Sequence, residues 1–436
     1  MFSAIARILK TPDLRRKIGI SVLIIGLYRM GTFIPVPFVD YGILRECIDP
    51  ASSTQGLMSM INMFSGGALL QLSVFALGIM PYITASIIIQ VLRVVIPRFE
   101  ALHKEGQQGQ AKLNQYTRYL NIALSILQAT VMITLAIQGT LFGTQCLGVV
   151  TSEEWHSILL MVLTMTAGSS LIMWMGEQIT ESGIGNGMSL LIFTSIAATF
   201  PSSLAAIAVT KGIETLLVVL AVGILLVFLV VFVEQSQRRV PVQYARRMVG
   251  KRTYGGNNTY IPIKVNQAGV VPIIFSSSLL YLPMLLVQFA APADAADTPD
   301  WVIWVNTWLV NQNSPVYMVV YFFLTIAFAY FYVAITFNPE EVADNMKKYG
   351  GFIPGIRAGR PTAEYLSYVL SRITLPGSVY LAAIAMIPIF AFSLFQANQN
   401  FPFGGASILI MVGVGLDTVK QIDAQLQQRH YEGLLK

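Results

Sequence analysis

Long apolar runs separated by short polar stretches recur along the chain, at about residues 18–34, 74–96, 119–138, 156–175, 187–200, 215–233, 269–290, 316–337, 373–395 and 405–419. A helix of about 20 apolar residues with few charges crosses a ~30 Å hydrocarbon layer, so the pattern predicts ten membrane-spanning helices. The fifth and tenth runs are short. Helix there must extend into the glycine-containing flanks at Gly183–Gly187 and Gly404–Gly405, or the bilayer must be thinner.

Composition agrees with the pattern. Of 436 residues, 55% are hydrophobic and only 11% charged, with a mean hydropathy of +0.64, where soluble domains carry roughly 25% charge. A large extramembrane domain is excluded. The net charge of +6 is distributed by loop: with the N-terminus cytoplasmic, 24 of the 28 Lys and Arg fall on that side. Such asymmetry orients membrane proteins and predicts both termini inside, with an even number of spans. The first run follows Arg15, Arg16 and Lys17 like a signal peptide. It ends in Pro35-Val36-Pro37 without a small-residue cleavage pattern, and is expected to be retained.

Two cysteines, Cys47 and Cys146, make no disulfide framework, although both fall on outer loops, and His103, His156 and His430 stand far apart. No metal or cofactor is expected. Positive charge in the loops serves topology, but the loop 234–268 is longer than topology needs. It carries Arg238, Arg239, Arg246, Arg247, Lys251 and Arg252 beside three tyrosines, as a docking platform would.

An internal repeat lies in the second and seventh runs. Gly78-Ile79-Met80-Pro81-Tyr82-Ile83 and Gly269-Val270-Val271-Pro272-Ile273-Ile274 share the spacing of Gly, Pro and Ile, with Ser86 and Ser277 following. Five spans per half, in 1–200 and 201–436, would place the halves in opposite orientations, with kinked proline helices lining a cavity. Ordinary packing kinks are the alternative. The stretch 57–72 before the second run is apolar, methionine-rich and too short to span. It reads as a re-entrant stopper jointed at Gly66-Gly67, or as an interfacial helix.

The strings Asn62-Met63-Phe64-Ser65-Gly66-Gly67-Ala68-Leu69 and Phe75 to Ile83 resemble the SecY family, the channel subunits of the Sec translocon. The resemblance continues through Gln115 to Tyr119, Gly176 to Thr180, Gly183 to Gly187, Lys264 to Val270, Asn338-Pro339-Glu340 and Pro354-Gly355-Ile356-Arg357, spanning nearly the whole chain. It implies an all-α polytopic membrane protein that passes unfolded secretory polypeptide across the membrane and releases hydrophobic segments sideways into lipid.

By the same resemblance, Ile79, Ile83, Met188, Ile192, Ile274 and Ile410 form an apolar pore ring, with Met188 standing where isoleucine is common. Residues 57–72, among them Asn62, Met63, Phe64, Ser65, Gly66 and Gly67, form the plug; Gln90 and Asn266 are polar lateral-gate positions, or solvated residues at the water interface. The loops 234–268 and 338–372 receive a SecA-like ATPase motor and the ribosome through the arginines and lysine named above and Arg357. Partners implied are SecE-like and SecG-like small membrane subunits, signal peptides, nascent chains and the lipid bilayer of the inner (plasma) membrane.

A secondary small-solute transporter is the rival reading, since inverted repeats and broken helices occur there too. Ion coupling usually needs ionisable groups near the midplane, and the span centres are almost free of them. Phosphate-loop, zinc-protease and dinucleotide signatures are absent from the sequence, so an enzyme is not expected.

Overall fold

The computed structural model describes residues 11–47, 65–138, 148–152, 154–244, 247–249, 252–254, 259–290, 299–311, 314–395 and 405–432. A helix lies over each of the ten apolar runs. In chain order the elements are α1 (Pro12–Gly31), α2 (Tyr41–Cys47), α3 (Met80–Val95), α4 (Pro97–Lys104), α5 (Gln107–Ile137), α6 (Trp155–Ser182), α7 (Gly187–Lys211) and α8 (Ile213–Gln235). Four strands follow, β1 (Gln237–Tyr244), β2 (Arg247–Val249), β3 (Arg252–Tyr254) and β4 (Thr259–Lys264). The rest comprises α9 (Val271–Ala290), α10 (Asp300–Val305) running into a π-helical turn (Asn306–Val310), α11 (Pro315–Thr336), α12 (Pro339–Lys348), β5 (Gly351–Phe352), α13 (Arg360–Phe395) and α14 (Gly405–Glu432).

Among the described residues, α5, α6, α7, α8, α11 and α13 are long and apolar enough to cross a membrane. The bent pair of α3 and α4, at 97°, would make a seventh span. The other three runs carry α1, α9 and α14, of 20, 20 and 28 residues, and 20 residues reach about 30 Å.

Contacts divide the described residues into two compact units. The first draws on 1–221, 391–403 and 410–436, the second on 222–390 and 404–409.

In the first unit α5 and α6 pack through small polar contacts, Ser125 Oγ donating to Ser169 Oγ at 3.0 Å. Tyr28 of α1 bonds Ser195 of α7 at 2.6 Å and stacks on Phe75 at 5.9 Å. Small residues and shared hydroxyls draw helices together where lipid supplies no hydrophobic drive between them. The second unit repeats the device. Thr325 of α11 donates to Ser276 of α9 at 3.1 Å, beside a Phe275–Phe328 stack at 5.2 Å.

Several expectations change. The second apolar run, placed at 74–96, is helical only from Met80; residues 66–79 form turns and one isolated bridge. Pro81 and Pro272 do not kink their helices but start them, each as the second helical residue. A first-turn N–H has no intrahelical acceptor, so proline costs nothing there. Nor does the fifth span extend into its N-terminal glycines. Gly185 has φ +85° and Asn186 caps α7 through bonds to Met188 N and Ser189 N, so the helix lengthens at its other end, through Pro201 to Lys211. The all-α expectation holds for the spans, while the long basic loop adds strands.

Glycine sets the closest approach in the first unit. A Cβ on Gly168 of α6 would collide with the Val74 carbonyl. Gly168→Ala is therefore expected to destabilise by about 1–3 kcal/mol, because backbone rather than a flexible side chain must yield. A lower thermal midpoint in detergent checks this; an unchanged midpoint would mean that the 66–79 turns shift freely.

Candidate functional site

The first unit holds five of the ring residues near helix starts, in buried or half-buried positions. Ile79 sits at the N-cap of α3, 3% exposed, and its carbonyl accepts the Ile83 N–H at 3.1 Å, so the two lie one helical turn apart. Ile83 is half-buried. Met188 and Ile192 occupy the same relation in α7, with Ile192 6% exposed, and Ile410 of α14 is 3% exposed. The Met188 thioether fills the space over Gly176 of α6. Its flexible chain serves the α6–α7 contact there.

The reversal between α6 and α7 explains the Gly183 to Gly187 string. A Cβ on Gly187 would strike the Gly176 carbonyl, and one on Gly183 would strike Ser21 Oγ of α1. The Gly187 N–H donates to Thr180 Oγ1 at 2.9 Å.

Of the plug positions, Asn62, Met63 and Phe64 lie outside the described residues. Ser65, Gly66 and Gly67 form a tight turn, with φ of +70° and +89° at the two glycines, conformations that favour glycine. The Ser65 hydroxyl accepts from Leu69 N at 3.2 Å, and Arg29 Nη1 of α1 donates to the Gly66 carbonyl at 2.9 Å. The expected flexible joint is thus held from one side by a charged donor.

In the second unit Ile274 lies in the first turn of α9, 8% exposed. Gly269 has φ +62° and Gly78 in the first unit φ +56°, each three residues before its proline. The repeat read from sequence is therefore a repeat of backbone geometry. Asn266 is 3% exposed and donates through Nδ2 to Glu234 Oε1 at the end of α8 and to the Gly269 carbonyl at 3.2 Å. Gln90 in α3 donates to Ser86 Oγ at 3.4 Å. Each candidate gate amide thus has a partner within its own unit.

The two basic loops are joined. β1 pairs antiparallel with β4 from Gln237↔Lys264 to Val242↔Thr259, and with β5 at Gln243↔Phe352 and Tyr244↔Gly351, giving the sheet order β4-β1-β5. β2 and β3 form a separate pair. Arg238 and Arg239 are exposed, and the Arg239 guanidinium lies 4.9 Å from the Tyr260 ring centre. Arg247 and Arg252 have backbone places in β2 and β3; Arg246 and Lys251 lie outside the described residues. Arg357 is exposed between Gly355 (φ +83°) and Gly359 (φ +104°), and its carbonyl accepts from buried Thr362 at 2.8 Å. In α4 Lys104 donates to Glu100 Oε1 at 2.6 Å, both side chains exposed.

The sequence reading missed the ion pair that joins α5 to α6. Arg118 of α5 donates from Nε to Glu177 Oε1 at 3.0 Å and from Nη2 to Oε2 at 2.8 Å, a two-pronged pairing. Its signal was a lone charge at the end of each span, Arg118 in the Gln115 to Tyr119 string and Glu177 in the Gly176 to Thr180 string. Among the described residues no group of three or more His, Cys, Asp or Glu could hold a metal ion.

The SecY family model matches residues 73–419. Over 442 residues, covering both chains fully, the sequence is 60% identical to the protein translocase subunit SecY of Streptomyces scabiei. That of Micrococcus luteus is 56% identical over 437 residues, again covering both chains. A solved protein-conducting channel superposes with a TM-score of 0.63 at 17% identity, covering 94% of this chain and 91% of that one. Sec61 in the canine ribosome-channel complex from the endoplasmic reticulum gives 0.60 at 17%, with the same coverage. The chain belongs to the SecY family.

A double-mutant cycle on Arg118→Ala and Glu177→Ala is expected to give a coupling energy of about 1 kcal/mol, since the pair is partly solvated. Denaturant unfolding in detergent measures it. Additive losses would show that the fork contributes nothing beyond the two side chains' separate packing.

Proposed function

We propose that this member of the SecY family is a channel for unfolded secretory polypeptides that also releases hydrophobic segments into lipid. The observation that carries the reading is the repeated helix start. In each unit a left-handed glycine is followed by a proline-led helix whose first turn holds an isoleucine, Ile83 in one and Ile274 in the other. A constriction lined by branched apolar side chains disfavours water and ions and offers a passing chain no hydrogen bond to hold it. Selectivity would then rest on weak adhesion. Ile79, Met188, Ile192 and Ile410 contribute to the same ring, and residues 57–72 act as the plug.

The halves 1–200 and 201–436 act as inverted repeats, and Gln90 and Asn266 as polar positions of the lateral gate. Buried amides favour local partners in a closed gate and can exchange them when a competing segment arrives. The chain would reside in the cell's inner membrane with SecE-like and SecG-like subunits. Energy would come from a SecA-like motor or from synthesis itself, the chain being a conduit and no catalyst.

The sheet that joins the two basic loops supports their use as one docking surface, and the Sec61 relative solved with a ribosome supports the ribosome as an occupant. Ribosomal RNA would meet Arg238, Arg239 and Arg357 through phosphates, contacts that carry affinity without reading sequence.

The deciding experiment places a photo-crosslinking residue at Ile83 and, separately, at Ile274, and stalls a secretory chain in transit. Crosslinks to the chain from both positions are expected. Silence at both, with a lipid-facing control behaving normally, would return weight to the solute-transporter reading. Arg357→Glu is expected to abolish motor-driven translocation while leaving the thermal midpoint unchanged, and normal transport by that variant would remove Arg357 from the docking surface.

A further inference from the structure

Three of the chain's five tryptophans, Trp301, Trp304 and Trp308, stand within eight residues on α10 and the π-helical turn after it. They are 52%, 55% and 38% exposed, and Ile303 beside them is 51% exposed. Val302 is 3% exposed, and Val305, Leu309 and Val310 are half-buried, so the segment has an inner aliphatic side and an outer indole side. The inner side packs on α9 and α11, and Ser314 Oγ donates to the Trp308 carbonyl at 3.0 Å, pinning the turn to the start of α11.

We propose that this segment is a membrane anchor, its indoles seated at the headgroup–acyl boundary of the leaflet opposite the basic loops. Indole combines an apolar ring with one N–H donor, and tryptophan concentrates at that boundary for this reason. The surface continues the lipid-facing side of α11, where Val319 and Phe323 are 54% and 64% exposed. Residues 291–314 carry Asp294, Asp297 and Asp300 and no Lys or Arg. Attraction to anionic headgroups is therefore not the source of affinity; burial of the indoles is. Because the segment packs on α9, the outer end of that helix is tied to the position of the leaflet.

The test uses the full chain carrying Trp155→Phe and Trp174→Phe in phosphatidylcholine vesicles, which leaves these three indoles as the only tryptophans. Lipids brominated near the headgroup are expected to quench their fluorescence at least about twofold more than lipids brominated at the bilayer centre, as a depth of roughly 5–10 Å into the boundary requires. If that variant does not fold, the difference in quenching between the natural chain and Trp301→Phe/Trp304→Phe/Trp308→Phe reports the same quantity. Strong quenching by aqueous iodide with none by brominated lipid would overturn the anchor. So would protection from both quenchers, which would mean cover by a second copy of the chain, or stronger quenching from the bilayer centre.

Discussion

Every backbone N–H and C=O inside a hydrocarbon layer needs a partner in the protein, so non-helical chain at membrane depth must be covered. Residues 65–79 are where this constraint presses hardest, because a span was expected to begin at 74 and the helix begins at Met80. Neighbouring backbone supplies the missing partners: Val36 N donates to the Leu72 carbonyl and Val74 N to that of Ile34, each at 2.9 Å, while Ser73 N reaches Ala68 at 3.1 Å. Arg29 takes the Gly66 carbonyl. Such cover demands close approach, which explains glycines at three points. A Cβ on Gly31 would enter the Phe75 ring, one on Gly168 the Val74 carbonyl, and Gly66 lies against Arg29 and Ser195.

The same economy recurs where the second unit's α9 begins. Gly269 turns the chain in the left-handed region, and Pro272 starts the helix where its missing N–H is no loss. Two sequences that share few residues thus reach one geometry. What they share is what the backbone requires, and the side chains between are free to differ.

The ten helices were legible because apolar length is a strong signal, and so was the repeat, whose Gly and Pro are backbone instructions. Boundaries were less legible. Residues 74–79 are as apolar as the helix that follows, so hydropathy alone could not separate turn from span. Within the long basic loop, charge was visible while pairing was not: β1 finds part of its sheet in β5, more than one hundred residues away, and periodicity carries no record of that. The Arg118–Glu177 fork was hidden for a related reason. Each partner looks like an ordinary charge at a span end, and only the packing of α5 on α6 makes them a pair. The contact of the Met188 thioether with Gly176 was hidden in the same way, being set by the packing of α6 on α7.

The base of the β1–β4 hairpin is closed rather than tethered. Val265 N donates to the Ser236 carbonyl at 3.0 Å, directly beyond the Gln237↔Lys264 pair, and the next residue, Asn266, bonds Glu234. Asn266 also bonds the Gly269 carbonyl, the turn from which α9 starts, and a Cβ on Gly377 of α13 would collide with the Val265 carbonyl, so no slack remains on that side. Ladder bonds resist shear along the strands, and a closed base passes displacement on instead of absorbing it. The exposed arginines of β1 are therefore connected to the turn from which α9 starts through paired backbone and one buried amide. The basic strand and the start of α9, separated along the sequence, are thus joined by a short path of backbone and one side chain.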